Sequence, residues 1–380
     1  MLSSFIIIID NPNFTNHISS FSLLCLLEMD LIPGLPNEVG LECLNRVPFD
    51  QFPVATSVCR KWKDEIMKAE FRNRRKASGR TRPVIAMAQA MVVGSSSRLS
   101  PPVCRLTLLD PVKGCWYDLP PIPEMAEGLP VFSRVVGVGP ELAVMGGCDP
   151  ESFRVLNSVF IYSFLTGTWR RGKDMPGEQR LFFGCAASER DGVMVVAGGH
   201  DDGKNALKST LSYDVASDVW TPLPEMSSGR DECACFFYRG KCHVTGGYHV
   251  ETQGQFERTV ETLDAVAGHW CANDGMADAA KSTFPSVGFV EIGGRIYTSR
   301  DGDVVAFDDA TSQVIGRVPR EVSNVSFVTG WHGQLMVTGN AKYGEPQKAY
   351  VYELKSGLWS QIEVPNEYSG HIQSAFCLEL

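Results

Sequence analysis

The chain runs to 380 residues, more than twice the roughly 150 of a typical domain, which excludes a single small domain. Hydrophobic residues make up 44% and charged residues 21%, the balance of a packed globular protein rather than a disordered one. The formal charge of −9 is uneven, with two acids and no base in 1–28, ten bases and seven acids in 29–80, and 25 bases and 35 acids in 81–380; so acidic a body argues against a phosphate-backbone partner.

In residues 1–28 the apolar tracts Ile6–Ile9 and Phe21–Leu27 are each shorter than the roughly 20 residues a membrane-spanning helix needs. No Lys or Arg precedes Arg46, so the basic start of a secretory signal is missing. Met29 opens a well-organised segment. The expectation is that translation starts there, and that residues 1–28 are either not translated or a disordered tail.

Residues 29–71 read as a small all-α head. Pro36 and Asn37 open a helix with apolar positions Val39, Cys43, Leu44 and Val47, and Pro48 ends it. A second apolar series, Phe52, Val54, Ala55, Val58, Cys59 and Trp62, continues to Ile66 and Met67. So short a head lacks room for a large core and calls for neighbouring apolar surface. The string Leu35-Pro36-x-Glu38-Val39, Leu44-x-x-Val47-Pro48, Phe52 and Val58-Cys59-Arg60-x-Trp62 resembles an F-box, the motif that docks on the Skp-type adaptor of a cullin ubiquitin ligase. The resemblance implies adaptor contacts at Leu35, Pro36, Val39, Leu44, Val47, Pro48, Phe52, Val58 and Trp62, an apolar helical face of the groove-binding kind. Residues 72–82 follow as a basic linker, crowded by Arg72, Arg74, Arg75, Lys76, Arg80 and Arg82. The solvated-linker reading outweighs a nuclear import signal.

Internal repeats organise residues 83–380. A large apolar residue stands seven positions before a tryptophan in Leu109/Trp116, Tyr162/Trp169, Tyr213/Trp220, Leu263/Trp270 and Tyr352/Trp359, and Phe307/Val314 keeps the spacing without the tryptophan. The closing positions are 53, 51, 50, 44 and 45 residues apart. Double glycines at 146–147, 198–199 and 246–247 end apolar runs of β type, where glycine admits close approach. In the third copy this gives strands at Phe182–Ala187, Val193–Ala197, Thr210–Asp214 and Val219–Leu223, a four-stranded blade. The pattern resembles a kelch β-propeller, and six closing segments imply six blades. The first copy has only three evident strands, at Val84–Ala90, Cys104–Leu109 and Cys115–Leu119, so Ile372–Leu380 is expected to complete it and close the ring. The copies at 283–318 and 325–362 lack the doublet at the same place, which leaves their boundaries open.

Loops after the double glycines, Cys148–Asn157, His200–Ser209 and Tyr248–Arg258, are long, while the other turns are short. Alternating strands place these loops on one face with the links between blades, the usual seat of recognition on a rigid scaffold. The candidate target-binding residues there are Arg154, Arg180, His200, Asp201, Lys204, Arg230, Asp231, His249 and Arg258. Arg180 and Arg230 are the expected anchors, since arginine is favoured at binding hot spots.

Twelve cysteines are scattered from Cys25 to Cys377, with no C-x-x-C and no Cys/His quartet at zinc spacing. Several sit in apolar runs, as Cys185 does, and read as reduced thiols of a cytoplasmic or nuclear protein. The seven histidines show no short-range metal spacing, Gly137-Val138-Gly139 lacks the rest of a dinucleotide turn, and no nucleophile elbow or phosphate loop occurs. The chain is therefore expected to be non-catalytic, with no cofactor and no metal site.

Head and repeats together resemble the plant F-box/kelch-repeat proteins. That resemblance implies a substrate receptor of a Skp–cullin–F-box ubiquitin ligase, in which the head joins the Skp-type adaptor and through it the cullin. The propeller would hold a protein target for ubiquitination and proteasomal degradation, with no nucleic acid or membrane partner. Ala197–Leu207, Gly229–Cys233 and Glu251–Phe256 are similar to a subgroup whose implied targets are phenylalanine ammonia-lyase and type-B response regulators of cytokinin signalling. A non-degradative scaffold and a small-molecule-binding propeller enzyme are the alternatives.

Overall fold

The computed structural model describes residues 30–92, 103–264, 267–272, 288–308 and 311–380. The expected start at Met29 and the expected extension 1–28 lie outside them. The chain divides into two compact units between Arg80 and Thr81.

Among its described residues the first unit holds four short α-helices, α1 (Asn37–Asn45), α2 (Phe52–Val58), α3 (Arg60–Ile66) and α4 (Ala69–Ala77). Pro36 precedes α1 and Pro48 follows it, as proline's fixed φ and its effect on the preceding residue require. The apolar series from Phe52 to Met67 is not one continuous element. Cys59 is extended, at φ −159° and ψ 164°, and splits it into α2 and α3. Leu44, Phe49, Phe52, Ala55, Ile66 and Phe71 are buried, and the rings of Phe52 and Phe71 meet edge to face at 6.1 Å. The head therefore has a small core of its own.

The basic linker 72–82 needs correcting, because residues through Ala77 continue α4. Arg75 is 4% exposed rather than solvated. Its guanidinium lies 4.8 Å over the Phe52 ring and donates to the carbonyls of Asn45 at 2.7 Å, Val47 at 2.8 Å and Arg80 at 2.9 Å. Carbonyls at a helix end lack partners within the helix, so Arg75 caps α1 from a distance in sequence. Burial pulls its guanidinium pKa below the ordinary value.

The second unit is a six-bladed β-propeller of four-stranded antiparallel sheets. Blade 1 contains β1 (Pro83–Ala90), β2 (Cys104–Asp110) and β3 (Cys115–Asp118). Blade 2 is β4 (Arg134–Val138), β5 (Glu141–Met145), β6 (Val159–Ser163) and β7 (Thr168–Gly172). Blade 3 is β8 (Gly184–Ser188), β9 (Val193–Ala197), β10 (Thr210–Asp214) and β11 (Val219–Leu223). Blade 4 is β12 (Asp231–Tyr238), β13 (Lys241–Tyr248), β14 (Val260–Asp264) and β15 (His269–Ala272). Blade 5 is β16 (Val290–Ile292), β17 (Arg295–Arg300), β18 (Asp303–Phe307) and β19 (Ser312–Arg317). Blade 6 is β20 (Asn324–Trp331), β21 (Gln334–Asn340), β22 (Lys348–Glu353) and β23 (Leu358–Ile362). The last strand, β24 (Ile372–Glu379), completes blade 1, giving the order β24-β1-β2-β3. It pairs antiparallel with β1, Ile85 facing Cys377 and Met87 facing Ala375, so the expected closure of the ring by the C-terminal segment is observed.

Apolar side chains fill the spaces between blades. Val136, Ala143, Met145 and Ile161 of blade 2 share a cluster with Met194, Val196, Leu211 and Tyr213 of blade 3. Ile85, Met87 and Leu109 of blade 1 join Met336, Ala349 and Val351 of blade 6 across the closure. The repeated tryptophans act between blades as well as within them. In four blades the indole N–H donates to a carbonyl just past the outer strand of the preceding blade: Trp116 to Glu363 at 3.0 Å, and Trp169 to Pro120, Trp220 to Lys173 and Trp270 to Pro224, each at 2.8 Å. Within blades, Tyr162 faces Trp169, Tyr213 faces Trp220 and Tyr352 faces Trp359.

Blade 5 departs from the spacing. Phe307 faces Ser312 and Val314 faces Val305, with a register shift only beyond them, between Val304 and Val305. The shared spacing of Phe307 and Val314 is not a cross-strand pair. Gly293-Gly294 forms the turn between β16 and β17, and Gly339 lies inside β21.

Candidate functional site

The double glycines shape one end of the propeller. Leu181 pairs with His200 and Gly184 with Ala197, which sets Phe182 across from Gly199. By the same count Phe132 stands across from Gly147, since Val131 pairs with Cys148 and Arg134 with Met145. Both phenylalanines have positive φ, 64° at Phe132 and 53° at Phe182, and so does Glu232 at 54° in the next blade. A Cβ on Gly147 would lie 2.7 Å from the carbonyl oxygen of Val131, and one on Gly199 2.4 Å from that of Leu181. The glycine lets the second strand pass close over the reversed residue of the first.

In blade 6 and blade 1 a β-bulge takes the place of the reversed residue. The registers skip Ser326 on β20 and Gln373 on β24. Phe132, Phe182, Glu232, Ser326 and Gln373 all line one cavity of about 1130 Å³ at this end of the propeller. The Phe132 and Phe182 rings are 4.7 Å apart. Gln373 holds Phe132 in place by accepting its backbone N–H at 2.8 Å.

The wall of the mouth is uneven. In blade 3 the loop after the glycines runs over 198–209, whereas in blade 5 only Asp301 and Gly302 join β17 to β18. Arg300, Asp301, Arg317 and Arg320 line the cavity there. Arg134 lines it too; its Nε–H donates to the carbonyl of Phe183 at 2.9 Å, and burial lowers its pKa.

The sequence-predicted target residues separate into two groups. Arg154, Lys204 and Arg258 are exposed and carry no side-chain ion pair or hydrogen bond among the described residues. His249 pairs with Glu257 at 3.0 Å, and Asp201 closes its loop by accepting from the Asn205 side-chain amide at 2.9 Å and backbone N–H at 2.8 Å, in that order the main causes of its lowered pKa. His200 Nδ1 lies 2.9 Å from the Asp231 carboxylate, and the His200 ring is 5.6 Å from that of Phe182.

Arg180 and Arg230 are not surface anchors: they are 2% and 1% exposed. Arg180 donates to the carbonyls of Gly198 at 3.2 Å and Ser209 at 3.1 Å, and to Ser209 Oγ at 2.8 Å. Arg230 donates to the Gly246 carbonyl and Thr259 Oγ1, each at 2.8 Å, and to the buried Glu261 carboxylate from Nε at 3.0 Å and Nη2 at 2.8 Å. Each clamps the base of a long loop, because a guanidinium fork satisfies several buried acceptors at once.

The head presents a second candidate surface. Val39 is 45%, Val54 61% and Val58 57% exposed; Pro36 and Pro48 are also exposed, and Leu35 and Val47 are half-buried. Trp62 is half-buried and donates its indole N–H to the carbonyl of Leu31 at 2.8 Å. Leu44 and Phe52 correct the expected contact set: at 1% and 3% exposed they build the core beneath the face.

The phenylalanines at the mouth escaped the sequence reading, which placed Phe182 inside a strand and passed over Phe132. Their common place across from the second glycine of each doublet was the available signal. The bulged Ser326 and Gln373 left none.

Comparison with known proteins agrees with this anatomy. The F-box domain family matches residues 32–74, and the Kelch motif matches 131–176 and 182–227. The F-box/kelch-repeat protein At1g80440 of Arabidopsis thaliana is 42% identical over 360 residues, covering 93% of this chain and 100% of the relative. At1g15670, from the same plant, is 41% identical over 360 residues with the same coverage. The Arabidopsis F-box/kelch-repeat protein SKIP20 is 31% identical over 404 residues, covering 90% and 94% of the two chains. The chain belongs to the F-box/kelch-repeat family. An F-box joined to a kelch propeller implies a substrate-adaptor role in Skp–cullin–F-box-type ligases, with a Skp-type adaptor on the head and a protein target on the propeller. Among the described residues no helix is long and apolar enough to cross a membrane.

Proposed function

We propose that this chain is a target receptor of a cullin ubiquitin ligase. The head docks the Skp-type adaptor through Leu35, Pro36, Val39, Val47, Pro48, Val54 and Val58. The propeller holds the target by the face bearing the long loops, where Arg154, Lys204, His249 and Arg258 are contact candidates. The observation that carries the reading is the presence, in one chain, of helices with exposed valines and a ring with its long loops gathered at one end.

In this role the chain supplies no nucleophile or base. It raises the effective concentration of a target lysine beside the ligase's ubiquitin-charged enzyme, turning an encounter into a nearly intramolecular event. Phenylalanine ammonia-lyase and type-B response regulators are the targets we infer, from the stretches Ala197–Leu207, Gly229–Cys233 and Glu251–Phe256. The cytoplasm, the nucleus or both would be the site of action.

Affinity capture under proteasome inhibition tests the division of labour, comparing the parent chain with Leu35→Ala/Pro36→Ala. Loss of adaptor with retention of target is expected. Retention of the adaptor by the variant, or targets whose half-life ignores this chain, would refute the proposal.

A further inference from the structure

We propose that the mouth of the propeller's channel binds an extended segment of a partner protein in which acidic side chains flank an aromatic or aliphatic one. The inference deepens the receptor reading above and rests on it.

Two features converge on that chemistry. First, Phe132 is 43% exposed beside Phe182 although both hold positive φ. A non-glycine residue in that region costs about 1–3 kcal/mol, a strain that clusters at ligand clamps and active sites. The paired rings form a rigid apolar platform at the rim. Second, Arg317 and Arg320 line the same cavity, are exposed and make no ion pair among the described residues. The lining holds Arg134, Arg300, Arg317 and Arg320 against Glu232, Asp301 and Glu345, which leaves the Arg317 and Arg320 guanidinium groups free to donate to a carboxylate in forked geometry.

Size points the same way. At about 1130 Å³ the cavity exceeds the roughly 300–1,000 Å³ of small-molecule sites. The two-residue turn Asp301-Gly302 lowers the wall on the arginine side, so a chain can enter laterally.

The test uses the full chain co-purified with its Skp-type adaptor, panned against phage-displayed random dodecapeptides. Enriched peptides are then measured by fluorescence anisotropy. The expected winners carry Asp or Glu next to Phe, Tyr, Leu or Ile. Arg317→Glu/Arg320→Glu should weaken them by at least about tenfold, the loss of one charge-assisted hydrogen bond. Phe132→Asn/Phe182→Asn should also weaken them by about tenfold without lowering Tm, since Asn tolerates positive φ. Enrichment of basic or uncharged peptides, no enrichment, or affinities that ignore both variants would overturn the proposal. Capture of full-length targets in proteasome-inhibited cells, run in parallel, separates the two readings. Targets that bind both mouth variants as well as the parent sink the mouth and leave the receptor role. A parent that enriches acidic peptides but captures no protein target sinks the receptor role and leaves the mouth.

Discussion

Phe182 lies across the sheet from Gly199, each with φ in the left-handed region. The pair explains why the second glycine of the doublet is needed. Gly199→Ala would put a methyl 2.4 Å from the carbonyl oxygen of Leu181 at φ +85°. Strain and overpacking together should destabilise the propeller by about 3 kcal/mol. Gly192→Ala, at φ +70° but in open space, should cost only about 1 kcal/mol. Urea unfolding of the two variants checks the order; equal midpoints would remove the steric explanation.

Ring closure yields a second expectation. Deleting residues 371–380 strips β1 of its inner neighbour and should abolish the cooperative melt of the whole propeller, not only of blade 1. Trp116→Phe keeps most of the ring but loses the hydrogen bond to Glu363, and should cost about 1 kcal/mol. A truncated chain that melts at the parental temperature would contradict the closure.

On the head, core and face should respond differently. Phe52→Ala removes the ring between Phe71 and the Arg75 guanidinium and should cost about 3–5 kcal/mol. Val54→Asp/Val58→Asp changes exposed positions and should leave stability within about 0.5 kcal/mol while abolishing adaptor binding. Circular dichroism with an adaptor pull-down separates these results, and Val54→Asp/Val58→Asp chains that still bind the adaptor would relocate the docking face.

The buried arginines are expected to act on stability. Arg230→Ala strands the Glu261 carboxylate at 3% exposure and should cost about 3–5 kcal/mol. Arg258→Ala and Lys204→Ala, at exposed sites, should stay within about 0.5 kcal/mol. Thermal denaturation of the three variants distinguishes a loop clamp from a contact residue.

Burial pushes the thiols of Cys104 and Cys233 up to about 11 and that of Cys377 up to about 12. Raised pKa values mean that the folded chain holds these protons more tightly than the unfolded one. The resulting stability is complete below about pH 9 and is lost as pH rises through the folded-state values. At pH 8 iodoacetamide should therefore modify the exposed Cys43, Cys59 and Cys115 first, because the thiolate is the reactive form. Mass-spectrometric mapping that finds Cys377 among the earliest adducts would refute the assignment.

The fold was legible because its signals are local and repeat. A tryptophan recurs on the outer strand in five of the six copies, and four of these bond a carbonyl of the preceding blade. The glycine doublets mark the strand ends for a steric reason visible at Gly147 and Gly199. Blade 5 hid its register because the facing pair at the seven-residue separation is Ala306 and Gln313, neither of them an aromatic residue. The site was less legible. Arg180 and Arg230 carry the chemistry of a docking anchor, and only three-dimensional packing shows that Ser209 and Glu261 consume them. Arg75 was hidden by its basic neighbours for the same reason. Sequence gives a side chain's capacity to bind, but not which acceptors fold back to meet it.

The pairing of β24 with β1 has a consequence for biosynthesis. Five blades can form from contiguous stretches as they leave the ribosome, but blade 1 must wait for Ile372–Glu379. Until then the nascent polypeptide carries an unpaired strand edge at Pro83–Ala90, open to mispairing. Cells that make this protein should shield that edge with a chaperone until β24 has emerged.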